Sequence, residues 1–317
     1  MGNKVHLGDF MTNELPDKSV QLIIADPPYF EVKGSFDFAW SSFDAYLLDI
    51  EKWAKECKRL LADNGTLFWW GHAKKIAYSQ VILDRFFNLE NSLVWEKKEC
   101  QTMKSEPGAM RTFAPVTERC LMYSNEILMT GLEAIKLDVE NFQPLRQYSK
   151  MVLDFIGVGK TKIIELIGGK ADHFFRWNST QWELATPETY AQLIEVFGID
   201  KMSQFKEYEA LRQEYEALRR PFNQTELQTD VLYYSQEAHI TKEYDHETKK
   251  PETLTRSLIL TCSRPNDLVF VPFAGSGTEC SMAVKEGRRC VGYDIEQKYV
   301  DMSNKRIKIS QSKPQLF

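Results

Sequence analysis

The sequence predicts an α/β protein in which helices cover a mostly parallel β-sheet and a mainly helical segment is inserted into the chain. Apolar, β-branched runs such as 20–24 and 267–272 end at loops that contain proline, glycine or acidic residues, as buried parallel strands do. Segments with helical spacing separate these runs, which is the alternation of an α/β fold. From Asn125 to about Tyr234 the strand signals stop. We therefore expect the α/β domain in two halves, 1–124 and 236–317, around an inserted domain at 125–235.

The elements of the α/β part follow from local patterns. Strands are predicted at 5–7, 20–24, 66–70, 92–95, 119–123, 267–272 and 291–294. The first helix is predicted from Phe43 to Leu61, because apolar residues recur there at helical spacing, and the following Asn64-Gly65 is a typical end signal. Further helices are predicted at 75–87 and 254–260.

The composition is that of a globular protein, with 43% hydrophobic and 27% charged residues in 317. The formal net charge of -5 does not exclude a nucleic-acid partner, since positive charge can be confined to one face. Six cysteines without Cys-x-x-Cys spacing indicate reduced thiols in a cytoplasmic protein and offer no metal-ligand cluster. We expect no membrane partner, because no apolar run is long enough to span a bilayer and the chain starts without a signal-peptide core.

The stretch from Ile23 to Tyr29 reads Ile-Ile-Ala-Asp-Pro-Pro-Tyr and closes an apolar run. Two prolines cannot donate to a strand ladder, so a stiff loop is expected to leave the carboxyl end of the strand. In open α/β sheets ligands bind at that end. The loop offers a carboxylate, backbone carbonyls and an aromatic ring, which can hold a planar group that carries an amine. A proline turn that merely ends a core strand has the same letters. The candidate catalytic residues are Asp26, Pro27, Pro28 and Tyr29.

A second loop follows the predicted strand at 267–272 and reads Phe-Ala-Gly-Ser-Gly-Thr. Glycines at a strand-to-helix turn let the backbone approach a ligand closely. The loop is not a phosphate-binding P-loop, because no Gly-Lys-Ser/Thr follows, and it lacks the third glycine of a dinucleotide fingerprint. One helix and one strand later comes Asp294, which is placed to accept the hydroxyls of a ribose. Asp9 also follows a strand, although Gly-Asp is often only a turn.

These blocks together resemble the amino-methylating DNA methyltransferases of the β group, whose fold is Rossmann-like and whose methyl donor is S-adenosylmethionine. The resemblance covers both ends of the chain in the order of that group: Asp-Pro-Pro-Tyr first, the insertion second, and Phe-x-Gly-x-Gly last. Residues 246–251 add a partial match to its His-x-Thr-x-Lys-Pro string. The cofactor-binding residues that the resemblance implies are Asp9, Asp26, Thr248, Lys250, Phe273, Gly275, Ser276, Gly277, Thr278 and Asp294.

By this resemblance the protein is a site-specific adenine-N6 methyltransferase that flips its target base out of double-stranded DNA. Asp26 and the Pro27 carbonyl would accept hydrogen bonds from the amine, and Tyr29 would stack on the base. One rival is a cytosine-N4 enzyme, which more often carries serine at the position of Asp26. The other is an inactive DNA-binding protein on the same fold. It is favoured by Val271, because the family usually has an aspartate there, at the cofactor's methionine end.

The inserted segment resembles the helix-turn-helix of phage-type repressors between Lys160 and Ile199, with Ala171 to Trp177 as the recognition helix. Six basic and three acidic residues lie between Arg146 and Trp182, a local excess that fits a phosphate-facing surface. A small helical bundle with a solvated face is the alternative. The candidate DNA-binding residues are Lys160, Lys162, Lys170, His173 and Arg176.

A seven-residue repeat, Glu-Tyr-Glu-Ala-Leu-Arg followed by Gln or Arg, occupies 207–220 and ends at Pro221. Two heptads are too few for an independent coiled coil. A helical arm packed on its own domain is therefore favoured over a zipper in a homodimer. A companion restriction endonuclease is compatible with the family, but the sequence does not decide it.

Overall fold

The computed structural model of the chain describes residues 2–32, 39–97, 111, 113, 116–125, 142–179, 181–223, 229–235 and 250–312. The chain divides into two compact units. An α/β unit comprises residues 1–126 and 221–317, and a helical unit comprises residues 127–220. The α/β unit is therefore built from both ends of the chain around an insertion.

Eight strands form one sheet in the α/β unit. They are β1 (Lys4–Leu7), β2 (Val20–Ala25), β3 (Leu61–Gly71), β4 (Asn88–Glu96), β5 (Thr117–Ser124), β6 (Val231–Tyr233), β7 (Leu268–Val271) and β8 (Arg289–Asp294). Their order across the sheet is β1-β8-β7-β2-β3-β5-β4-β6. Neighbours pair in parallel except around β5, which runs antiparallel to both β3 and β4. The predicted mostly parallel α/β sheet is confirmed.

Ten α-helices are present in the described parts of the chain. In the α/β unit they are α1 (Phe43–Leu60), α2 (Ile76–Leu83), α8 (Glu252–Cys262), α9 (Thr278–Lys285) and α10 (Gln297–Ser312). In the helical unit they are α3 (Gln143–Ile156), α4 (Lys160–Ile167), α5 (Ala171–Phe174), α6 (Pro187–Phe197) and α7 (Tyr208–Leu218). None of the helices in these described ranges is both long and apolar enough to cross a membrane.

Both faces of the sheet are buried under helices. Successive side chains of a strand point to opposite faces, so alternate residues of β2 pack against different helices. Leu22 and Ile24 of β2 belong to one apolar cluster, which also contains residues of α8, α9 and α10. Ile23 and Ala25, which alternate with them, belong to a second cluster that contains residues of α1 and α2. Because helices pack on both faces of β2, the strand needs apolar side chains on both faces, which explains its continuous apolar run.

The first helix ends at Leu60, one residue before its predicted end. The predicted end signal Asn64-Gly65 is wrong, because these residues lie within β3, which begins at Leu61. The pairing of β2 with β3 shifts at this point: Val20 faces Leu61, but Leu22 faces Thr66. Asn64 and Gly65 therefore lie in a β-bulge, a local irregularity for which glycine is a frequent choice.

The end of the insertion also differs from the sequence expectation. The helical unit ends at Arg220 rather than at residue 235. Residues Val231–Tyr233, a run too short to stand out as a strand, form β6 and pair in parallel with β4. Three residues at a sheet edge contribute little to a periodicity signal, so tertiary pairing decides their structure.

The heptad repeat forms the single helix α7 of the helical unit. Leu211 is fully buried in the core of that unit. The rings of Tyr215 and Phe142 stack with their centroids 5.3 Å apart. The rings of Tyr208 and Tyr190 are also in contact, with 5.6 Å between their centroids. The expected helical arm packed on its own domain is the arrangement found.

Candidate active site

The order of the strands brings the candidate residues to one edge of the sheet. β1, β8, β7 and β2 are consecutive neighbours and all parallel, so their carboxyl ends lie side by side. Asp9 follows β1, Asp294 ends β8, the glycine-containing turn follows β7, and Asp26 follows β2. Residues far apart in the chain therefore line one crevice, the place where open α/β sheets bind ligands.

The Asp26 carboxylate is fixed by two side chains. Its Oδ1 accepts a hydrogen bond of 2.5 Å from the Tyr29 hydroxyl, and its Oδ2 lies 2.6 Å from the Nζ of Lys250. Burial, followed by the charges of Asp26 and Glu118, raises the pKa of Tyr29 well above its ordinary value. The Tyr29 hydroxyl therefore stays protonated and acts as a donor to Asp26.

Lys250 is 4% exposed and links Asp26 to a second carboxylate. Its Nζ lies 3.2 Å from Oε2 of Glu118 on β5 and 4.8 Å from the centroid of the Trp70 ring. The resemblance assigns Lys250 to the cofactor, whereas the structure places its ammonium on Asp26. Glu118 was not found from the sequence, since a single acid at the start of a strand gives no signal. Thr248 lies outside the described residues.

The turn after β7 has the backbone of a ligand-approach loop. Gly275 and Gly277 have φ of +45° and +71°, a region that disfavours residues with a Cβ. The backbone N of Gly275 donates to Asp294 Oδ2 over 2.8 Å, which joins the turn to the end of β8.

The hydroxyls of this turn have internal partners. Those of Ser276 and Thr278 lie 3.1 Å apart and are buried. Arg306 of α10 donates to the Ser276 carbonyl over 2.8 Å and to the Thr278 hydroxyl over 3.0 Å. The Phe273 ring packs edge-on against Phe10, with centroids 5.2 Å apart. The side chains thus hold the shape of the turn, and its backbone remains the part suited to a ligand.

The two acids at the strand ends differ in their environment. Asp294 is half-buried and burial raises its pKa, and its carboxylate accepts backbone N–H groups from Gly275 and Glu296. Asp9 caps a short 3-10 helix by accepting the Met11 N–H over 2.9 Å. Asp9 comes two residues after the end of β1, where Leu7 pairs with Asp294 at the end of β8.

The aspartate that the resemblance expects at position 271 is absent, and Val271 is buried in the sheet. A different carboxylate is buried nearby in the sequence, that of Glu279 in the first turn of α9, which is 7% exposed. Burial, as the largest cause, and the charge of Asp26 raise the pKa of Glu279 above its ordinary value. No pattern in the sequence selects Glu279 in advance.

In the helical unit the predicted recognition helix is wrong in extent. The helix α5 ends at Phe174 rather than Trp177, and two of its four residues, Ala171 and Phe174, are buried. Asp172 pairs with Lys160 at 2.7 Å and accepts from Arg176 Nε at 2.9 Å.

The other basic candidates of the helical unit differ from one another. Lys162 pairs with Glu165 at 3.0 Å. The His173 Nδ1 lies 2.9 Å from the Gln181 carbonyl, whereas Lys170 forms no ion pair within the described part of the chain. The local excess of positive charge is thus partly neutralised, and the DNA-binding role of these residues stays a prediction.

A mostly parallel sheet with the one reversed strand β5 between β3 and β4, a glycine turn and an Asp-Pro-Pro-Tyr loop at adjacent strand ends define a Rossmann-like methyltransferase. The sequence profile of the DNA methylase family matches residues 20–305. The chain belongs to this family of N6 and N4 DNA methylases, and the resemblance read from the sequence is confirmed at that level.

Known proteins similar to this chain include members with different base specificities. The DNA adenine methyltransferase YhdJ of Escherichia coli (strain K12) is 22% identical over 303 residues, which cover 94% of this chain and 79% of YhdJ. Among solved structures, the M1.HpyAVI–SAM complex is 16% identical with a TM-score of 0.53, over 96% of this chain and 98% of that one. The cytosine-N4-specific PvuII DNA methyltransferase is 14% identical with a TM-score of 0.53, over 95% and 85%. These structures show that the fold is shared.

Proposed function

We propose that the chain transfers a methyl group from S-adenosylmethionine to the N6 amine of adenine in double-stranded DNA. The observation that carries this proposal is the position of the Asp26 loop beside the glycine turn, on the adjacent parallel strands β2 and β7. A base amine held by Asp26 and a methyl donor held by the turn would then meet in one crevice. Membership of the DNA methylase family supports the reaction class.

The residues at the strand ends fit S-adenosylmethionine. A carboxylate has about four acceptor positions, and Asp294 uses one on each oxygen for a backbone N–H, so acceptor positions are left for two ribose hydroxyls. Ile295 follows Asp294 and is 74% exposed, which offers an apolar surface to a purine ring. The glycine turn carries no Cβ at the point of approach. When bound, the cofactor supplies an electrophilic methyl group on sulfur.

The Asp26 loop then acts on the target amine. Asp26 and the Pro27 carbonyl accept hydrogen bonds from its two N–H groups, which draws the nitrogen lone pair out of conjugation with the ring and leaves it available for attack. The Tyr29 ring stacks on the base while its hydroxyl holds Asp26. The amine of a paired adenine is engaged in the duplex, so the base has to be flipped into the crevice. Positioning of the two reactants supplies much of the rate enhancement.

Adenine is favoured over cytosine by the aspartate at position 26 and by the adenine specificity of YhdJ. A cytosine-N4 activity is the second candidate, because the PvuII enzyme has this specificity and the same fold. The other expected partners, a second copy of the chain and a companion restriction endonuclease, stay predictions. The basic residues of the helical unit are proposed to contact DNA phosphates.

The test is the expression of the chain in a methylation-deficient host, followed by single-molecule sequencing of the genomic DNA. We expect N6-methyladenine at one sequence motif with the wild-type chain and with Asp63→Ala. Asp63 is a surface carboxylate that pairs with Lys18 and serves as the matched control. Asp26→Ala and Asp26→Asn should give no modification while their cofactor affinity stays within a few-fold of wild type.

Other results would change the proposal in defined ways. N4-methylcytosine would keep the site and replace the target base. Modification by either Asp26 variant at the wild-type level would remove Asp26 from the mechanism. Cofactor binding without modification of any DNA would favour the inactive DNA-binding protein.

A further inference from the structure

A partly buried network of four charged side chains includes the candidate catalytic carboxylate. Lys250 lies between Asp26, at 2.6 Å, and Glu118, at 3.2 Å. The second oxygen of Glu118 pairs with the Nζ of Lys97. Negative and positive charges thus alternate along Asp26, Lys250, Glu118 and Lys97. Two carboxylates this close would repel each other without the ammonium between them.

The network is built to stay charged. Burial alone would lower the pKa of Lys250, but the charges of Asp26 and Glu118 outweigh it and raise that pKa above its ordinary value. Burial alone would raise the pKa of Glu118, but Lys250 and Lys97 outweigh it and lower that pKa. A lysine ammonium and a glutamate carboxylate therefore persist at neutral pH, in a place where an unpaired charge would be costly.

The network also joins three separate parts of the fold. Asp26 follows β2, Glu118 lies on β5, and Lys250 comes just before α8. The indole of Trp70 on β3 packs against the Lys250 ammonium, with 4.8 Å between Nζ and the ring centroid. The Lys250 side chain is 4% exposed and its ammonium is bounded by an aromatic ring and two carboxylates, so these groups determine its position.

The carboxylate of Asp26 keeps acceptor capacity for a substrate. Lys250 occupies one position on Oδ2, and Tyr29 occupies one on Oδ1. About two of its four acceptor positions are left. Because both oxygens have a fixed donor, the carboxylate plane is fixed too, and so is the direction of the remaining lone pairs. Such pre-orientation is what a hydrogen-bond acceptor for a reacting amine requires.

Building on the proposed function, we propose that Lys250, itself held by Glu118, is a positioning residue that orients Asp26 toward the amine of the target base. Glu118 acts through Lys250, and neither residue is needed to hold the cofactor. This differs from the cofactor role that the sequence resemblance implies for Lys250, and the two roles make opposite predictions for binding.

The experiment compares Lys250→Met, Glu118→Gln and the double variant with wild type and with Glu51→Gln. Glu51 of α1 forms surface ion pairs with Lys55 of the same helix and with Arg85, which follows α2, and is the matched control. Turnover at saturating cofactor is measured on unmethylated DNA that carries the motif identified by the genomic sequencing. Cofactor affinity is measured separately by calorimetric titration. Thermal unfolding of every variant is recorded, and turnover is assayed well below the lowest midpoint.

Loss of a charge-assisted hydrogen bond to the reacting group is expected to lower kcat of Lys250→Met by about 10- to 100-fold. Glu118→Gln should lower kcat by about 3- to 10-fold, because the ammonium stays but is less firmly held. Cofactor Kd should stay within about threefold in both variants. The double variant should be no slower than Lys250→Met alone, since Glu118 acts through the missing ammonium. Glu51→Gln should match wild type.

Several results would overturn the inference. A tenfold weaker cofactor affinity in Lys250→Met with near-normal kcat at saturation would make Lys250 a cofactor ligand. Multiplying effects in the double variant would show that Glu118 does not act through Lys250. Should Lys250→Met fail to fold, Glu118→Gln with unchanged kcat would still contradict the inference. An inactive wild-type chain in the same assay would instead refute the proposed function, so the two failures are distinguishable.

Discussion

Replacement of Gly277 by alanine is the sharpest perturbation of the glycine turn. Gly277 has φ +71°, and a Cβ built on it would lie 2.5 Å from Ser303 Oγ, 2.6 Å from its Cβ and 2.7 Å from its Cα. The hydroxyl of Ser303 can rotate only by giving up its hydrogen bond to the Gly275 carbonyl. The Cα belongs to the backbone of α10, so either that helix or the turn has to move.

Two costs add in this variant. A residue with a Cβ in the left-handed region loses about 1–2 kcal/mol, and a forced shift of packed groups costs about 1–3 kcal/mol. We therefore expect Gly277→Ala to lower the free energy of unfolding of the α/β unit by about 2–5 kcal/mol. Because the relaxed turn no longer approaches a ligand closely, the affinity for S-adenosylmethionine should fall by roughly tenfold or more.

Gly198→Ala is the matched control, since it isolates the backbone cost. Gly198 has φ +61° but its added Cβ would meet the Lys201 side chain at 3.6 Å, an ordinary contact. We expect a loss of about 1–2 kcal/mol in the helical unit and no change in cofactor affinity. Amide hydrogen exchange of the slowest peptides, in β7 for one variant and α6 for the other, measures each loss where it occurs.

An equal loss of unfolding free energy in Gly277→Ala and Gly198→Ala would refute the clash at Ser303. Unchanged cofactor affinity in Gly277→Ala would remove the turn from the cofactor site.

Three further predictions concern the helical unit. Arg176 is the main cause that lowers the pKa of Asp172 from 3.8 to about 2, so the stability that the ionised Asp172 confers is complete above about pH 4 and is lost as the pH falls toward 2. An NMR titration of this carboxyl should show a higher midpoint in Arg176→Gln. An unchanged midpoint would contradict the pairing of Arg176 with Asp172. Leu211→Ala should destabilise the helical unit by about 2–5 kcal/mol. The control Leu48→Ala, at a 61% exposed position, should lower the free energy of unfolding by less than about 0.5 kcal/mol. Equal losses of stability in denaturant unfolding would show that α7 is not part of the core. Lys170→Ala should weaken DNA binding equally for all sequences and reduce the slope of log affinity against log salt by about one; an unchanged slope would remove this lysine from the phosphate contacts.

The parts of the candidate site that consist of residues adjacent in the sequence could be predicted. Asp26 with its two prolines, and Gly275 with Gly277, each interrupt an apolar run at a strand end, and parallel strands place such ends at one edge. Asp294 could be added because one helix and one strand separate it from the glycine turn. Each of these inferences needs only a local pattern and the rule that α/β crossovers return the chain to the same edge.

The insertion was harder to delimit and to interpret. Val231–Tyr233 is a strand only because β4 offers it a free edge, which no local window contains. The basic residues near Asp172 looked like a phosphate-facing group in sequence, but folding turns Lys160 and Arg176 toward that one acid. A charge count along a chain gives the net balance of a segment, whereas pairing depends on which side chains the helices bring within hydrogen-bond distance.

The sequence by itself determined the α/β class, the permuted order of the two halves and the loops that carry Asp26 and the glycines. It did so because strand periodicity, proline and glycine act through the backbone within a few residues. The tertiary structure alone decided that Lys250 meets Asp26 and that Glu118 on β5 meets Lys250. Such contacts join residues more than a hundred positions apart, and a long-range ion pair forms only after the sheet has fixed where each side chain stands.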